Sequence, residues 1–166
     1  MTEKEFSAMV KENSERLYWH IRRMVYDHED ANDILQNTFL KAWNSRENFQ
    51  NKSKISTWLY RIAVNESLDF IRKRKHDLDG MSVDEVTSLG NQLRADAYFD
   101  GDETQIRLQQ AIATLPPVQK MVFNMRYFDD MKYNEISKVL DTSEGALKAS
   151  YHIAVEKISE FLKNID

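Results

Sequence analysis

The sequence predicts an all-α protein. Its 166 residues include only 4 Gly and 2 Pro. Several long stretches repeat apolar residues at spacings of three and four, the period of a helix buried on one face. The dipeptides that join paired strands are missing from where they would be needed. Asp79-Gly80 and Asp100-Gly101 fall in polar stretches, not between alternating apolar runs.

The first helix is marked by Phe6, Met9, Val10, Leu17, Tyr18, Ile21, Met24 and Val25. Asp30 is placed to cap a second helix, in which Ile34, Leu35, Thr38, Phe39, Ala42 and Trp43 recur at helical spacing. Residues 44–53 then break the pattern with polar side chains around Phe49. The third helix begins near Lys54 and ends in Arg72-Lys73-Arg74-Lys75, with no Gly or Pro between. Leu59, Ile62, Ala63 and Phe70 form its apolar stripe. Trp58, Arg61 and Asn65 form a neighbouring stripe, and Tyr60 lies on a third side. An aromatic flanked by a guanidinium and an amide can stack on an unpaired base and hold its phosphates. Plain packing of Trp58 and Tyr60 is the competing reading.

Residues 77–103 carry eight acidic side chains and one basic, although the whole chain has a net charge of only −4. The acidity is thus concentrated in one segment, which also holds three of the four glycines. That composition predicts a flexible acidic linker over 79–103, spanning on the order of 30 Å as a coil. Leu89, Leu93, Tyr98 and Phe99 give it the means to dock somewhere.

Beyond the linker, a helix follows Asp102-Glu103-Thr104 through Ile106, Leu108, Ile112 and Leu115. Pro116-Pro117 ends it and starts the next, since Pro suits a first helical turn. Asp129-Asp130 closes that helix. A short helix over Tyr133–Leu140, a turn at Asp141-Thr142-Ser143 and a last helix to about Asn164 form a helix-turn-helix. Asp141 tolerates a left-handed turn, and Ser143 can cap the last helix. Leu147, Tyr151, Ala154, Ile158 and Phe161 are the expected buried seam. Glu144, Lys148, Ala149, His152 and Glu156 are the expected open face, with Lys148 and His152 best placed to reach base edges. That face is poorly basic, so weak binding to free duplex is expected.

Other chemistry is narrowly bounded. The chain has no cysteine, which excludes disulfides and thiol catalysis. His20, His28, His76 and His152 are scattered, with no pair at metal-ligand spacing. His152 and Glu156 could face one another, but as a surface ion pair. No catalytic residue, metal or cofactor is expected. Met1-Thr2-Glu3-Lys4-Glu5 lacks the apolar stretch of a secretion signal, and no run approaches the roughly 20 apolar residues of a membrane span. A cytoplasmic protein without membrane insertion is expected.

Taken together, the segments resemble a bacterial RNA polymerase sigma factor of the sigma-70 family, extracytoplasmic-function (ECF) type. Asp30 through Trp43 is similar to that family's segment for the core polymerase clamp helices. Thr57 through Asn65 resembles its promoter-melting and −10 segment. Leu115 through Tyr127 and Tyr133 through Ala154 resemble its −35-binding domain. The resemblance implies a region 2-like helical bundle over 1–78, the linker over 79–103, and a region 4-like helix-turn-helix domain over 104–166. It implies core polymerase contacts at Asp33, Gln36 and Phe39. It places −10 binding and melting at Asn48, Phe49, Lys52, Trp58, Tyr60, Arg61, Asn65, Arg72 and Lys73. It places −35 contacts at Ser143, Glu144, Lys148, Ala149 and His152. The implied partners are core RNA polymerase, promoter DNA and an anti-sigma factor. The chain departs from the family pattern after Lys148, where Ser150, Ile153 and Val155 stand in place of several arginines. A dimeric helix-turn-helix regulator of duplex DNA is the alternative reading.

Overall fold

A computed structural model describes residues 1–49, 54–74 and 80–164. Among them the chain forms eight α-helices and one short 3-10 turn, with no strand.

Helices α1 (Glu3–Val25), α2 (His28–Asn44) and α3 (Ile55–Arg74) make the first unit. The start of α1 is held by a reciprocal cap. The Thr2 hydroxyl accepts from the Glu5 amide at 3.1 Å, and the Glu5 carboxylate accepts from the Thr2 amide at 3.0 Å. α1 ends at Tyr26, whose backbone is left-handed at φ 66°. That reversal lets α2 start two residues later. Its cap is Asp27, not the expected Asp30; Asp30 sits one turn in and donates its amide to the Asp27 carboxylate at 3.0 Å. The predicted faces otherwise hold. Met9, Leu17, Ile21 and Met24 of α1, Ile34 and Ala42 of α2, and Leu59 and Ala63 of α3 are buried together.

The segment read as a flexible linker needs correction. Residues 83–95 form helix α4 (Val83–Ala95), and it is docked. Ser82 and Glu85 cap it reciprocally, by hydrogen bonds of 3.3 and 3.2 Å. Val86, Leu89 and Leu93 are buried, the two leucines in a cluster with Tyr26, Ile106 and Ala113. Polar contacts tie its far end to the first unit. Arg22 pairs with Asp96, the Gln92 amide donates to the Tyr26 carbonyl at 3.2 Å, and Tyr98 stacks on His28 at 3.7 Å. Its near end is held at Gly80, where φ is 92° and a side chain would strike the carbonyl oxygens of Thr114 and Leu115. Met81 then donates its amide to the Ala113 carbonyl at 3.0 Å.

Helices α5 (Glu103–Ala113), α6 (Pro117–Tyr127), α7 (Tyr133–Leu140) and α8 (Glu144–Lys163) make the second unit. Pro117 occupies the first turn of α6, as expected. Asp141 is left-handed at φ 53°, and the Ser143 hydroxyl accepts from the Ala146 amide at 3.2 Å, so both turn assignments hold. Small Ser137 lets α7 and α8 meet closely; its hydroxyl donates to the Thr142 carbonyl at 2.6 Å.

The two units are packed against each other. Met121, Val122 and Met125 of α6, Ile136 and Val139 of α7 and Leu147 of α8 belong to the same buried cluster as the core of α1–α3. A buried polar cluster sits on this seam. His20 Nδ1 lies 3.0 Å from the Asp129 carboxylate, which also meets Arg23 at 3.4 Å. The Asn124 amide points to the Met24 sulfur at 3.8 Å.

Candidate nucleic-acid interface

Two surfaces carry the residues expected to touch nucleic acid. The first is built by α3 and the turn before it. The 3-10 turn Arg46–Asn48 follows α2, and the Arg46 guanidinium sits over the Trp43 ring at 3.7 Å while donating to the Trp43 carbonyl at 2.8 Å. This turn carries Asn48 into solvent and directs Phe49 onto Trp58, ring centres 5.1 Å apart. Trp58 is half-buried, packed against the core and Phe49 while part of its ring stays in solvent. Asn65, Arg72 and Lys73 are exposed along α3. Among the described residues Arg72 pairs with Asp69 at a long 3.8 Å, which leaves its charge available to an anion. Lys52 lies outside the described residues.

Tyr60 and Arg61 differ from expectation. Tyr60 is 2 % exposed and packs edge-on against His20, with ring centres 5.0 Å apart. Burial pushes its hydroxyl up to about 12. It is a core residue here, turned away from any base. Arg61 is exposed, but its guanidinium donates to the backbone carbonyl of Lys138 in α7. Beside that contact, Lys54, Thr57, Lys132, Asn134, Glu135 and Lys138 line a groove of about 150 Å³ between α3 and α7. The basic groups of this groove escaped sequence reasoning, because only the tertiary fold brings Lys54 near Lys132 and Lys138.

The second surface is the open face of α8. Ser143, Glu144, Lys148, Ala149 and His152 are all exposed, as the seam pattern predicts. Lys148 Nζ lies over the Tyr133 ring at 5.8 Å, which steadies it near the start of the helix. His152 meets Glu156 at 3.0 Å, one helical turn on. No group of three or more metal-ligating side chains occurs among the described residues. Ile153 and Val155, where the family pattern has arginines, are 42 % and 37 % exposed.

On α2, Asp33 and Gln36 are exposed, and Phe39 is partly buried against the core. Phe39 is thus a bridge between the core and the outer face. Exposed Leu40 lies beside it. No helix among the described residues is long and apolar enough to cross a membrane.

Comparison with known proteins places both surfaces in one context. Residues 9–76 match Sigma-70 region 2, and residues 105–158 match Sigma-70, region 4. The chain is 31 % identical to the ECF RNA polymerase sigma factor SigW of Bacillus subtilis, covering 96 % of this chain and 90 % of that one. This chain is an ECF sigma factor. It is also 27 % identical to the RNA polymerase sigma-H factor of Pseudomonas aeruginosa, over 95 % of this chain and 86 % of that one. Its fold is shared by solved structures. The sigma factor RpoE, crystallised with the anti-sigma factor NepR from Bartonella quintana, superposes with a TM-score of 0.73, at 21 % identity and 98 % and 99 % coverage. CnrH, solved with the cytosolic domain of CnrY, gives 0.75 at 20 % identity, covering 99 % of this chain and 92 % of that one. Within the sigma factor, the region 2 match contains α2, the turn and α3. The region 4 match contains α7, the turn and α8 as far as Ile158.

Proposed function

We propose that this sigma factor guides core RNA polymerase to its promoters by gripping two DNA elements at once. Directing polymerase to promoters is the function of the family to which the chain belongs. In the proposed division, residues 1–78 bind the polymerase and the −10 element, 79–103 connect, and 104–166 bind the −35 element. On α3, Trp58, Arg61 and Asn65, with Asn48, Phe49 and Lys52 from the preceding loop, capture the −10 strand. Arg72 and Lys73 hold its phosphates. Lys148 and His152 reach −35 base edges, with Ser143, Glu144 and Ala149 beside them on the same DNA-facing side. Asp33, Gln36 and Phe39 meet the polymerase. The chain makes and breaks no bond; it positions, captures and lets go. It works in the cytoplasm, and an anti-sigma factor restrains it. Both of these neighbours were solved with partner proteins, one of which is named as an anti-sigma factor.

The observation that carries this reading is the pairing, in one chain, of α3, which sets half-buried Trp58 beside exposed Arg61 and Asn65, with a helix-turn-helix whose open face sets Lys148 and His152 beside Glu144 and Glu156, a charge pattern from which weak hold on free duplex is expected. Gripping both sites through one large partner raises the effective concentration of each contact. The test is retention of the full chain by core RNA polymerase, followed by transcription from a genomic library of the source. Start-specific transcripts that need the chain are expected. Retention of duplex DNA by a dimer without polymerase would overturn the proposal in favour of a conventional regulator.

A further inference from the structure

The open face of α8 carries one large apolar side chain that the core does not use. Ile153 is 42 % exposed, while Ala154 and Ile158 near it are 0 % and 5 % exposed and complete the buried seam. Residues three and four apart share one face of a helix. Ile153 therefore stands one turn beyond Ala149 and one turn before Glu156, both of them exposed. Val155 is also exposed, but two residues of helix are roughly 200° of rotation, which turns it to the opposite flank. Ile153 thus extends the side of α8 on which Ala149 and His152 lie.

The edges of base pairs in the major groove present donors, acceptors and one apolar group, the C5-methyl of thymine. A branched hydrocarbon pressed on a donor or acceptor strips it of water and returns no hydrogen bond. Pressed on a thymine methyl, it removes apolar surface from water on both partners. Resting on the assignment of the open face of α8 to the −35 element, we propose that Ile153, with the methyl group of Ala149, reads thymine there through the C5-methyl. Lys148 and His152 serve the polar edges beside it. Ala149 and Ile153 are about 6 Å apart along the helix axis, close to two base-pair steps, so the two side chains meet different base pairs. A face with few cations can still discriminate in this way, since salt does not screen an apolar contact.

The test uses the full chain with core RNA polymerase and a promoter recovered from the genomic library. Its −35 block is randomised, and the templates that initiate are sequenced. The natural chain should enrich thymine, on either strand, at a position where Ile153→Ala shows no preference. Deoxyuridine in place of that thymine removes only the methyl group. It should lower initiation about fourfold with the natural chain, the effect of one buried methyl, and leave Ile153→Ala unchanged. Absence of a thymine preference that depends on Ile153 overturns the proposal; so does an equal fall with deoxyuridine for both proteins. If Ile153→Ala initiates less on every template alike and is retained less by polymerase, the side chain meets polymerase and the proposal fails. The deoxyuridine comparison on the natural chain needs no variant, so misfolding of Ile153→Ala cannot hide a failure. A natural chain that never initiates refutes the functional assignment itself, whereas initiation indifferent to the methyl overturns this inference alone.

Discussion

At the scale of single residues, Trp58 shows how packing and recognition share one side chain. Its inner edge rests on the core, and Phe49 covers it at 5.1 Å between ring centres. Trp58→Ala should cost about 1–3 kcal/mol of base stacking and lower open-complex formation by roughly tenfold or more. Polymerase affinity should stay near normal, and Trp58→Phe should recover part of the melting; permanganate reactivity of the −10 strand measures both. Lys148 has a different task. Lys148→Ala should remove about 1–3 kcal/mol of discrimination at one −35 base pair, if it reads a base edge as its place near the start of α8 indicates. Initiation from templates varied at each −35 position tests this, and an unchanged preference would remove Lys148 from the site. Tyr60 makes a prediction about pH. Its hydroxyl is raised by burial from 10.0 to about 12, so the folded state favours the neutral form. The stability this lends is complete below the ordinary phenol value and is lost as pH rises from about 10 through 12. Tyr60→Phe should therefore unfold less steeply over that range in urea titrations.

At the scale of elements, the helix starts and the turn of the second unit were the most legible features, because each is set by a few neighbouring residues. Pro117 at the head of α6, Asp141 in the left-handed turn and Ser143 at the start of α8 all sit where local chemistry requires. Helix α4 was missed for a physical reason. Its acidic flanks and glycines read as coil, and the Ser82–Glu85 cap that precedes Val86, Leu89 and Leu93 at helical spacing went unread. A helix of this length is marginal alone and forms because it docks, which composition does not reveal. The cap is testable. Ser82→Ala should cost about 1 kcal/mol of local stability and speed amide exchange over residues 85–89, with little change in α8. Uniform loss of protection across the chain would mean that α4 is a keystone of the whole fold.

At the scale of the whole molecule, the apolar stripes of each helix were readable, but the choice of partner was not. Met121, Met125 and Ile136 present the same pattern whether they face their own unit or the other one, so sequence suggested two tethered bundles. Arg61 illustrates the cost at the site: its stripe was legible, while its contact with Lys138 depends on how two distant segments meet. A core shared across the seam predicts joint unfolding. All three tryptophans, Trp19, Trp43 and Trp58, lie in the first unit, so their fluorescence reports that unit alone. Met125 belongs to α6 and is fully buried in the shared cluster. Met125→Ala should remove about 2–5 kcal/mol through lost burial and a cavity. If the seam couples the units, tryptophan fluorescence and far-ultraviolet dichroism will shift together to a lower urea midpoint, in one transition. If fluorescence keeps its natural midpoint while dichroism shifts, the halves unfold independently, and the seam is a contact between separate bundles instead of a common core.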